Sequence, residues 1–398
     1  MPEIGRSAAG AGRTGALAVG AVAAVILVLT LWPLGSKPSF TDDQTFLRFG
    51  LADAVRNVIL FLPLGIALTL RGTGFAGVAL CATLLSVAIE LAQVAIPGRY
   101  RNVWDVVSNA GGALLGAALL HTAPRWLRPG RSLATRLALA GASFVATLLL
   151  GTGLLLSPAM PFTEYAAGWT LDLDPLAHYT GRVISATLGD EPLPNGRLAR
   201  SEQVRRLWLE GAPLHLEAIA GGRTASLAPI FTLHDSAHRE VLLIGAERGD
   251  LVLRVRTRAQ AVSLDRPGLR WADALDDVQE GDPLTITARR EGNGWCLSLG
   301  DRSACPLGFT AGSGWRLLWF PQSLPTEAAP WLNAVWLAAL FLPLGLWLRT
   351  NAGSALAVAI AVAALFATPL VGLLPAPPAE LAASLAGMAL GAALRPLL

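Results

Sequence analysis

Charge is scarce in this chain. Of its 398 residues only 15% are Asp, Glu, Lys or Arg, while 53% are hydrophobic and the mean hydropathy is +0.51. Soluble domains carry about 25% charged residues, so an ordinary water-soluble enzyme is excluded. Lysine is nearly missing: Lys37 is the only one, and arginine supplies the rest of the positive charge. The balance of 31 basic against 28 acidic residues, a formal net of +3, is too even for a nucleic-acid partner, which would demand a clustered basic face. Cysteine is rare as well, with three residues in all. No CxxC and no His/Cys array accompanies them, so a structural zinc site is not expected, and no motif points to a cofactor.

What charge there is lies unevenly. Pro161–Thr326 holds 20 acidic and 17 basic residues, a net of −3, whereas the remainder holds 8 acidic and 14 basic, a net of +6. Two physical classes of polypeptide are joined, a polar block set between membrane segments. Gly15–Leu34 is an uncharged apolar run long enough to span about 30 Å of hydrocarbon. A cleaved signal peptide would also start with Arg6 and Arg13 followed by an apolar core. The run is longer than the usual signal core and no clean A-x-A site follows it, so a retained helix is expected. Further spans are expected at Ala52–Leu70, Gly74–Ile96, Val103–Leu120, Leu137–Leu156, Trp331–Leu348, Ser354–Leu373 and Ala379–Leu394, eight helices with the first. Arg6, Arg13, Arg71, Arg125, Arg128, Arg131, Arg136, Arg349 and Arg395 fall on one side, and Lys37, Arg48, Arg99 and Arg101 on the other. The positive-inside rule then puts both termini in the cytoplasm and the polar block outside.

The polar block reads as β structure. Val204–Leu209, Leu214–Ile219, Ala228–Leu233, Val241–Gly245, Leu251–Thr257, Leu284–Arg289, Cys296–Leu299 and Arg316–Phe320 are short, often alternating, and punctuated by Gly, Asp and Pro. Arg254, Arg256 and Arg258 alternate with Leu253, Val255 and Thr257, which predicts one wet and one packed face. Many short strands in about 165 residues point to a sandwich or jelly roll. Cys296 and Cys305 both lie in this block, where an oxidising exterior would let them form a disulfide; two free thiols are the alternative.

Phe61-Leu62-Pro63-Leu64-Gly65 recurs as Phe341-Leu342-Pro343-Leu344-Gly345, and Asp105-x3-Asn109-x2-Gly112-x3-Gly116 is echoed by Glu380-x3-Ser384-x2-Gly387-x3-Gly391. A three-helix membrane unit present twice, in parallel orientation, is expected. The first copy carries Arg56, Asn57, Glu90, Gln93, Asp105 and Asn109; the second has Trp336 and Leu337 at the first two places and apolar or Gly residues near Leu370–Leu373, then Glu380 and Ser384. The second copy is therefore read as scaffold, and any chemistry is assigned to the first.

Asn57, Glu90, Gln93, Asp105 and Asn109 all fall within roughly 10 Å of the outer interface at 1.5 Å per residue, with Arg99 and Arg101 in the connecting loop. An ionisable group inside a span costs about 2.5–3.5 kcal/mol on insertion scales and marks a functional site by default. The cluster suits a lipid headgroup bearing phosphate and sugar, with arginine on phosphate and carboxylates on hydroxyls. Pairing of Glu90 with Arg99 or Arg101, interhelical bonding by Asn57 and Asn109, and helix capping by Asp105 are the structural alternatives. Gly111, Gly112 and Gly116 read as packing residues.

The spaced set Asn57-x3-Phe61-x-Pro63-x-Gly65, Glu90-x2-Gln93 and Arg99-x5-Asp105-x3-Asn109-x2-Gly112-x3-Gly116 resembles the VanZ-like membrane family over about residues 30–120. The resemblance implies a bacterial cell-envelope role of the glycopeptide (teicoplanin) resistance type and no particular mechanism. Ala228–Ala259 resembles a concanavalin A-like, laminin G-like jelly roll, which implies binding of glycan or of a protein partner. Related glucanases need paired carboxylates about 5–9.5 Å apart; only Leu171-Asp172-Leu173-Asp174 approaches their strand motif, without its third acid, so hydrolysis is not favoured. His234, Asp235 and His238 read as a solvated loop in preference to a metal site.

The expected architecture is a membrane all-α part of about eight helices with a duplicated VanZ-like unit, plus an extracytoplasmic all-β sandwich. Its parts are residues 1–157 (five helices), 158–328 (the β domain) and 329–398 (three helices of the degenerate copy). The protein is expected in the bacterial cytoplasmic membrane, binding a membrane lipid or lipid-linked glycan through Asn57, Glu90, Gln93, Arg99, Arg101, Asp105 and Asn109. An enzyme acting on a polyprenyl-phosphate-linked substrate and a transporter are the alternatives.

Overall fold

The computed structural model describes residues 4–32, 47, 49–96, 99, 101–173, 176–319 and 327–397, with side chains from Gly15 onward. Lys37, Arg48, Asp174 and Phe320, and the side chains of Arg6 and Arg13, lie outside the described residues. The chain divides into two compact units. One comprises residues 1–134, 262–264 and 395–398; the other comprises residues 135–261 and 265–394.

The first unit is helical: α1 (Ile4–Leu31), α2 (Leu51–Leu70), α3 (Phe75–Gln93) and α4 (Val103–Leu127). Phe61, Leu64, Val78, Ala82, Ile89 and Ala113 form its buried centre, while Leu80, Leu84, Leu91, Val107 and Leu115 stay exposed, as suits helices whose outer faces meet lipid. The packing of α2 on α4 is set by glycine. An added Cβ at Gly65 would lie 1.8 Å from Ala113 O, at Gly112 2.3 Å from Val58 O, and at Gly116 2.1 Å from Leu62 O. Such near-contact of backbones is how helices associate where lipid removes the hydrophobic drive.

The second unit contains α5 (Arg131–Leu156) from Thr135 on, then β1 (Tyr165–Trp169), β2 (Arg182–Leu188), β3 (Glu191–Pro192), β4 (Gly196–Arg197), α6 (Ser201–Leu209), β5 (Leu214–Ile219), β6 (Ala228–Asp235), β7 (Glu240–Glu247), β8 (Asp250–Val255), β9 (Leu269–Trp271), β10 (Pro283–Glu291), β11 (Gly294–Leu299) and β12 (Arg302–Leu307). After these come a 3-10 segment (Ala311–Leu317), α7 (Ala328–Trp347), α8 (Ala352–Ala367) and α9 (Pro378–Leu394). The strands make two six-stranded sheets, ordered β4-β1-β6-β7-β8-β9 and β12-β11-β10-β5-β2-β3. Inward side chains of both, among them Phe231, Leu253, Leu216, Ile286 and Leu297, share one core. In the helical part Gly345 would set a Cβ 2.0 Å from Met388 O, Gly387 2.2 Å from Ala338 O, and Gly391 2.1 Å from Leu342 O. These are the α2–α4 contacts at offsets of 280 for α7 and 275 for α9, partner for partner.

Among the described residues six helical stretches are long and apolar enough to cross a membrane: Leu51–Leu70, Phe75–Gln93, Val103–Leu127, Arg131–Leu156, Ala328–Trp347 and Ala352–Val371. They are consistent with a membrane protein. Among the described residues the apolar stretch Gly15–Leu31 and the 17-residue α9 are shorter, and the expected first span continues to Leu34, outside the described residues.

Three expectations for the polar block are corrected. Val204–Leu209 is helix, not strand, because Ser201, Val204 and Trp208 recur at helical spacing and bury one side of α6. Arg316–Leu317 close a 3-10 segment in place of a strand. Arg254 is not on a wet face: every residue of β8 is buried, and Arg254 is instead paired, its Nη2 2.6 Å and Nε 3.2 Å from the Glu240 carboxylate oxygens. Arg266 stands 3.3 Å from the same carboxylate, and Arg270 pairs with both Glu247 and Asp250. Of the three arginines only Arg254 lies in the strand, since β8 ends at Val255 and Arg258 begins a 3-10 segment.

Gly65→Ala should lower the melting temperature of the full chain by an overpacking cost of about 1–3 kcal/mol. Gly111→Ala, on the same helix as Gly112 but with nothing within 4 Å of its added Cβ, should leave it unchanged or slightly higher. Glu240→Gln should cost about 3–5 kcal/mol by leaving Arg254 buried without its counter-charge, whereas Asp277→Asn, which touches only the exposed Arg302 pair, should cost under about 1 kcal/mol. Thermal unfolding of the four variants in detergent checks all of these.

Candidate functional site

Ser86, Glu90 and Gln93 follow one another at helical spacing along one face of α3. On α4, Asp105, Asn109, Gly112 and Gly116 recur at intervals of four, three and four, one stripe of the helix. The glycines of this stripe meet the α2 backbone, so the polar end of the same stripe must also face α2. The Asn57 side chain does hydrogen-bond to Asp105, and Asp53 and Arg56 stand within electrostatic reach of it. Arg56 itself pairs with Asp53.

Glu90 joins this group from α3. Its carboxylate accepts the Asn102 N–H at 2.7 Å and lies within electrostatic reach of Asp105. Asn102 is also the N-cap of α4, its side chain accepting from Trp104 N at 2.9 Å, so Glu90 ties the end of α3 to the start of α4. One turn deeper, Asn109 Nδ2 donates to Ser86 Oγ at 2.8 Å. Gln93 Nε2 donates to Thr30 O at 3.0 Å. Asn109 and Gln93 are only 3% and 7% exposed, yet Asn109 Oδ1 and Gln93 Oε1 have no hydrogen-bond partner. A buried polar atom left so costs about 1–3 kcal/mol.

The two loop arginines separate. Arg99 donates from Nε to Trp32 O at 3.0 Å and from Nη2 to Leu29 O at 2.7 Å. It thus serves the unsatisfied carbonyls at the C-terminal end of α1, and burial pushes its pKa down. Arg101 is exposed ahead of α4. The structure therefore gathers Asn57, Glu90, Asp105 and Asn109, adds Asp53, Arg56 and Ser86, and sets Gln93 and Arg99 against α1. Ser86 was missed, although it stands four residues before Glu90 on the same face.

A second polar group lies in the other unit, on helices read from sequence as scaffold. Glu380 is 3% exposed and accepts from Gly312 N at 3.0 Å, from Asn333 Nδ2 at 2.9 Å and from the Thr310 hydroxyl. Asn333 Oδ1 accepts from Trp315 Nε1 at 2.8 Å. The signal was legible: Asn333 stands at the offset of 280 from Asp53, and Glu380 at 275 from Asp105.

In the β region Cys296 and Cys305 are joined by a disulfide between β11 and β12, and Cys81 is a free, exposed cysteine. Asp235 Oδ1 accepts from Ala237 N and Arg239 N, and its Oδ2 meets Arg239 and Arg256. Burial pushes the Asp235 pKa up, but these donors and the Arg239 charge outweigh it and hold it below the usual value. The carboxylate is committed to closing the β6–β7 turn. A cleft of about 820 Å³ in the same region is lined by Phe162, Glu164, Arg197, Ser201, Glu202 and Arg205, and the Arg205 guanidinium lies 5.4 Å from the Phe162 ring centroid.

Residues 18–124 match the VanZ/LLP1 family model. The matched region holds all seven ligand-binding candidates from Asn57 to Asn109. No curated protein and no solved structure matches the chain.

Asn109→Leu should change the melting temperature by no more than about 1 kcal/mol, since it gives up one hydrogen bond and also removes an unpartnered buried oxygen. A large loss of stability, read by thermal unfolding beside Ser86→Ala, would instead make Asn109 a structural bridge between α3 and α4.

Proposed function

We propose that the VanZ/LLP1 region binds the headgroup of a lipid-linked glycan or phospholipid at the outer leaflet of a bacterial cytoplasmic membrane, as part of an envelope function of the glycopeptide-resistance type. One observation carries this: at one end of a bundle of apolar helices, Asp105, Glu90 and Asn57 come together one turn above Asn109, a buried amide with an unpartnered oxygen. A buried polar atom left without a partner costs about 1–3 kcal/mol, which a ligand can relieve, and Asp53 and Arg56 remain partly exposed at the rim. The positive-inside balance of arginines supports cytoplasmic termini and an external β region. Arg99 enters this proposal as a positioning residue, since its guanidinium is spent on α1.

The α7–α9 helices are, in the same proposal, a second copy of the α2–α4 unit, supported by the six matching glycine contacts. The two packed sheets are taken as a concanavalin A-like, laminin G-like domain that holds glycan or a protein partner. The cleft beside Phe162 and Arg205 is the natural place, offering an aromatic face with charged groups around it.

Native mass spectrometry of the detergent-solubilised full chain tests the lipid assignment. The wild type should carry a co-purified envelope lipid, and Glu90→Ala should lose most of it while eluting as a folded protein. Equal lipid occupancy in both, or none in either, would overturn the assignment.

A further inference from the structure

The second polar group shows what kind of partner this helix arrangement accepts. In α7–α9 the carboxylate at the offset-matched place of Asp105 is Glu380, and the chain's own segment Thr310–Trp315 is laid upon it. That segment offers two donors of different kinds, a hydroxyl from Thr310 and an amide N–H from Gly312. The approach is close: a Cβ on Gly312 would sit 2.6 Å from Glu380 Oε1. The third donor to Glu380 comes from Asn333, a helix residue.

In α2–α4 the matched residue of Asn333 is Asp53, an acceptor already paired with Arg56. Among the described residues Asp105 receives the Asn57 side chain as a neutral donor and faces the charges of Asp53 and Glu90. A phosphate would meet three carboxylates there, while a neutral group rich in donors would be welcomed. Beside Asp105 lie Trp104 and Phe49, 40% and 46% exposed, with ring centroids 5.4 Å apart in an edge-to-face pair. Aromatic faces of this kind suit a ligand that is apolar on one side and wet on the other. Below Asp105, the unpartnered Asn109 Oδ1 calls for one further donor.

We propose that Asp105 receives the hydroxyl and amide N–H of an N-acetylated amino sugar, in the arrangement that Thr310 and Gly312 present to Glu380, with the sugar's C–H face toward Trp104 and Phe49. This rests on the lipid-linked headgroup assignment above and names the part of the headgroup that the site reads. Thr310–Trp315 is then the chain's internal stand-in for that ligand.

Saturation-transfer NMR on the full chain in detergent, with N-acetylglucosamine, glucose, inorganic phosphate and an N-acetyl-Thr-Ala-Gly amide peptide as probes, tests it. N-acetylglucosamine should receive saturation at its acetamido and ring protons, and glucose, lacking the amide, should bind about tenfold more weakly. Asp105→Asn should weaken N-acetylglucosamine by about tenfold, and Asp105→Glu, which restores the carboxylate in the form Glu380 has, should retain it. Should Asp105→Asn fail to elute as folded protein, the Asp105→Glu comparison and the glucose arm still decide. Competition by phosphate, transfer to the peptide without transfer to the sugar, or sugar transfer unchanged in Asp105→Asn would overturn the proposal. Co-purified lipid that is lost in Glu90→Ala, combined with no sugar transfer, would overturn the amino-sugar assignment alone. Sugar transfer without any co-purified lipid would overturn the lipid assignment alone.

Discussion

The contact between the α2 and α4 backbones constrains everything else in the first unit. Carbonyls of Val58, Leu62 and Ala113 occupy the places where side chains of Gly112, Gly116 and Gly65 would begin. Two helices held this closely cannot rotate about their axes without collision, so the azimuth of every other residue on them follows. Asp105 and Asn109 share the glycine stripe of α4 and must face inward; Asn57, next to Val58, meets Asp105. Pro63 fits the same design, because its missing N–H falls inside α2 two residues before Gly65. Packing residues deep in the bundle thus aim the polar residues at its end.

The same constraint acts twice, with different consequences. In α7–α9 the polar stripe Glu380, Ser384, Gly387 and Gly391 is satisfied from within the chain: the glutamate by Thr310, Gly312 and Asn333, and Ser384 by the Glu380 carbonyl. In α2–α4 the carboxylates crowd one another and two buried amides each keep an unpartnered oxygen. Full satisfaction of a buried polar network stiffens a fold, and partial satisfaction stores cost that a ligand can relieve. At the matched place one group has a donor, Asn333, and the other an acceptor, Asp53.

Much of this was legible in the residues and some was not. Helix positions followed from apolar runs, and β5 matched its expected bounds, Leu214–Ile219, because its alternation is clean. Strand β1, Tyr-Ala-Ala-Gly-Trp, gave no such signal, since three small residues carry no hydrophobic period. Val204–Leu209 misled because a six-residue window with two adjacent arginines fits alternation as well as a helical turn; the arbiter, Ser201, lay outside it. Arg254 misled for another reason: periodicity reports which face a residue is on, while burial of that face depends on what the later chain lays over it. At the candidate site the depth of Asn57, Glu90, Asp105 and Asn109 could be reckoned from span ends. The use of Arg99 could not, because its partners are backbone carbonyls of α1, nearly 70 residues earlier, and carbonyls leave no mark in sequence.

How the scarce charge is neutralised separates the two kinds of polar site. In the β region arginine answers carboxylate directly, as in Arg254–Glu240, Arg256–Asp235 and Arg270–Glu247. At the helix ends three carboxylates are held by neutral donors: Glu90 by Asn102 N–H, Asp105 by Asn57, and Glu380 by an amide N–H, a hydroxyl and a carboxamide. A carboxylate answered by arginine has its charge cancelled and little affinity left to give. One held by neutral donors still has oxygen lone pairs to offer to more of them. Around Asp105 these groups favour hydroxyl and amide donors, and Arg56, which stands within electrostatic reach of Asp105, is paired with Asp53.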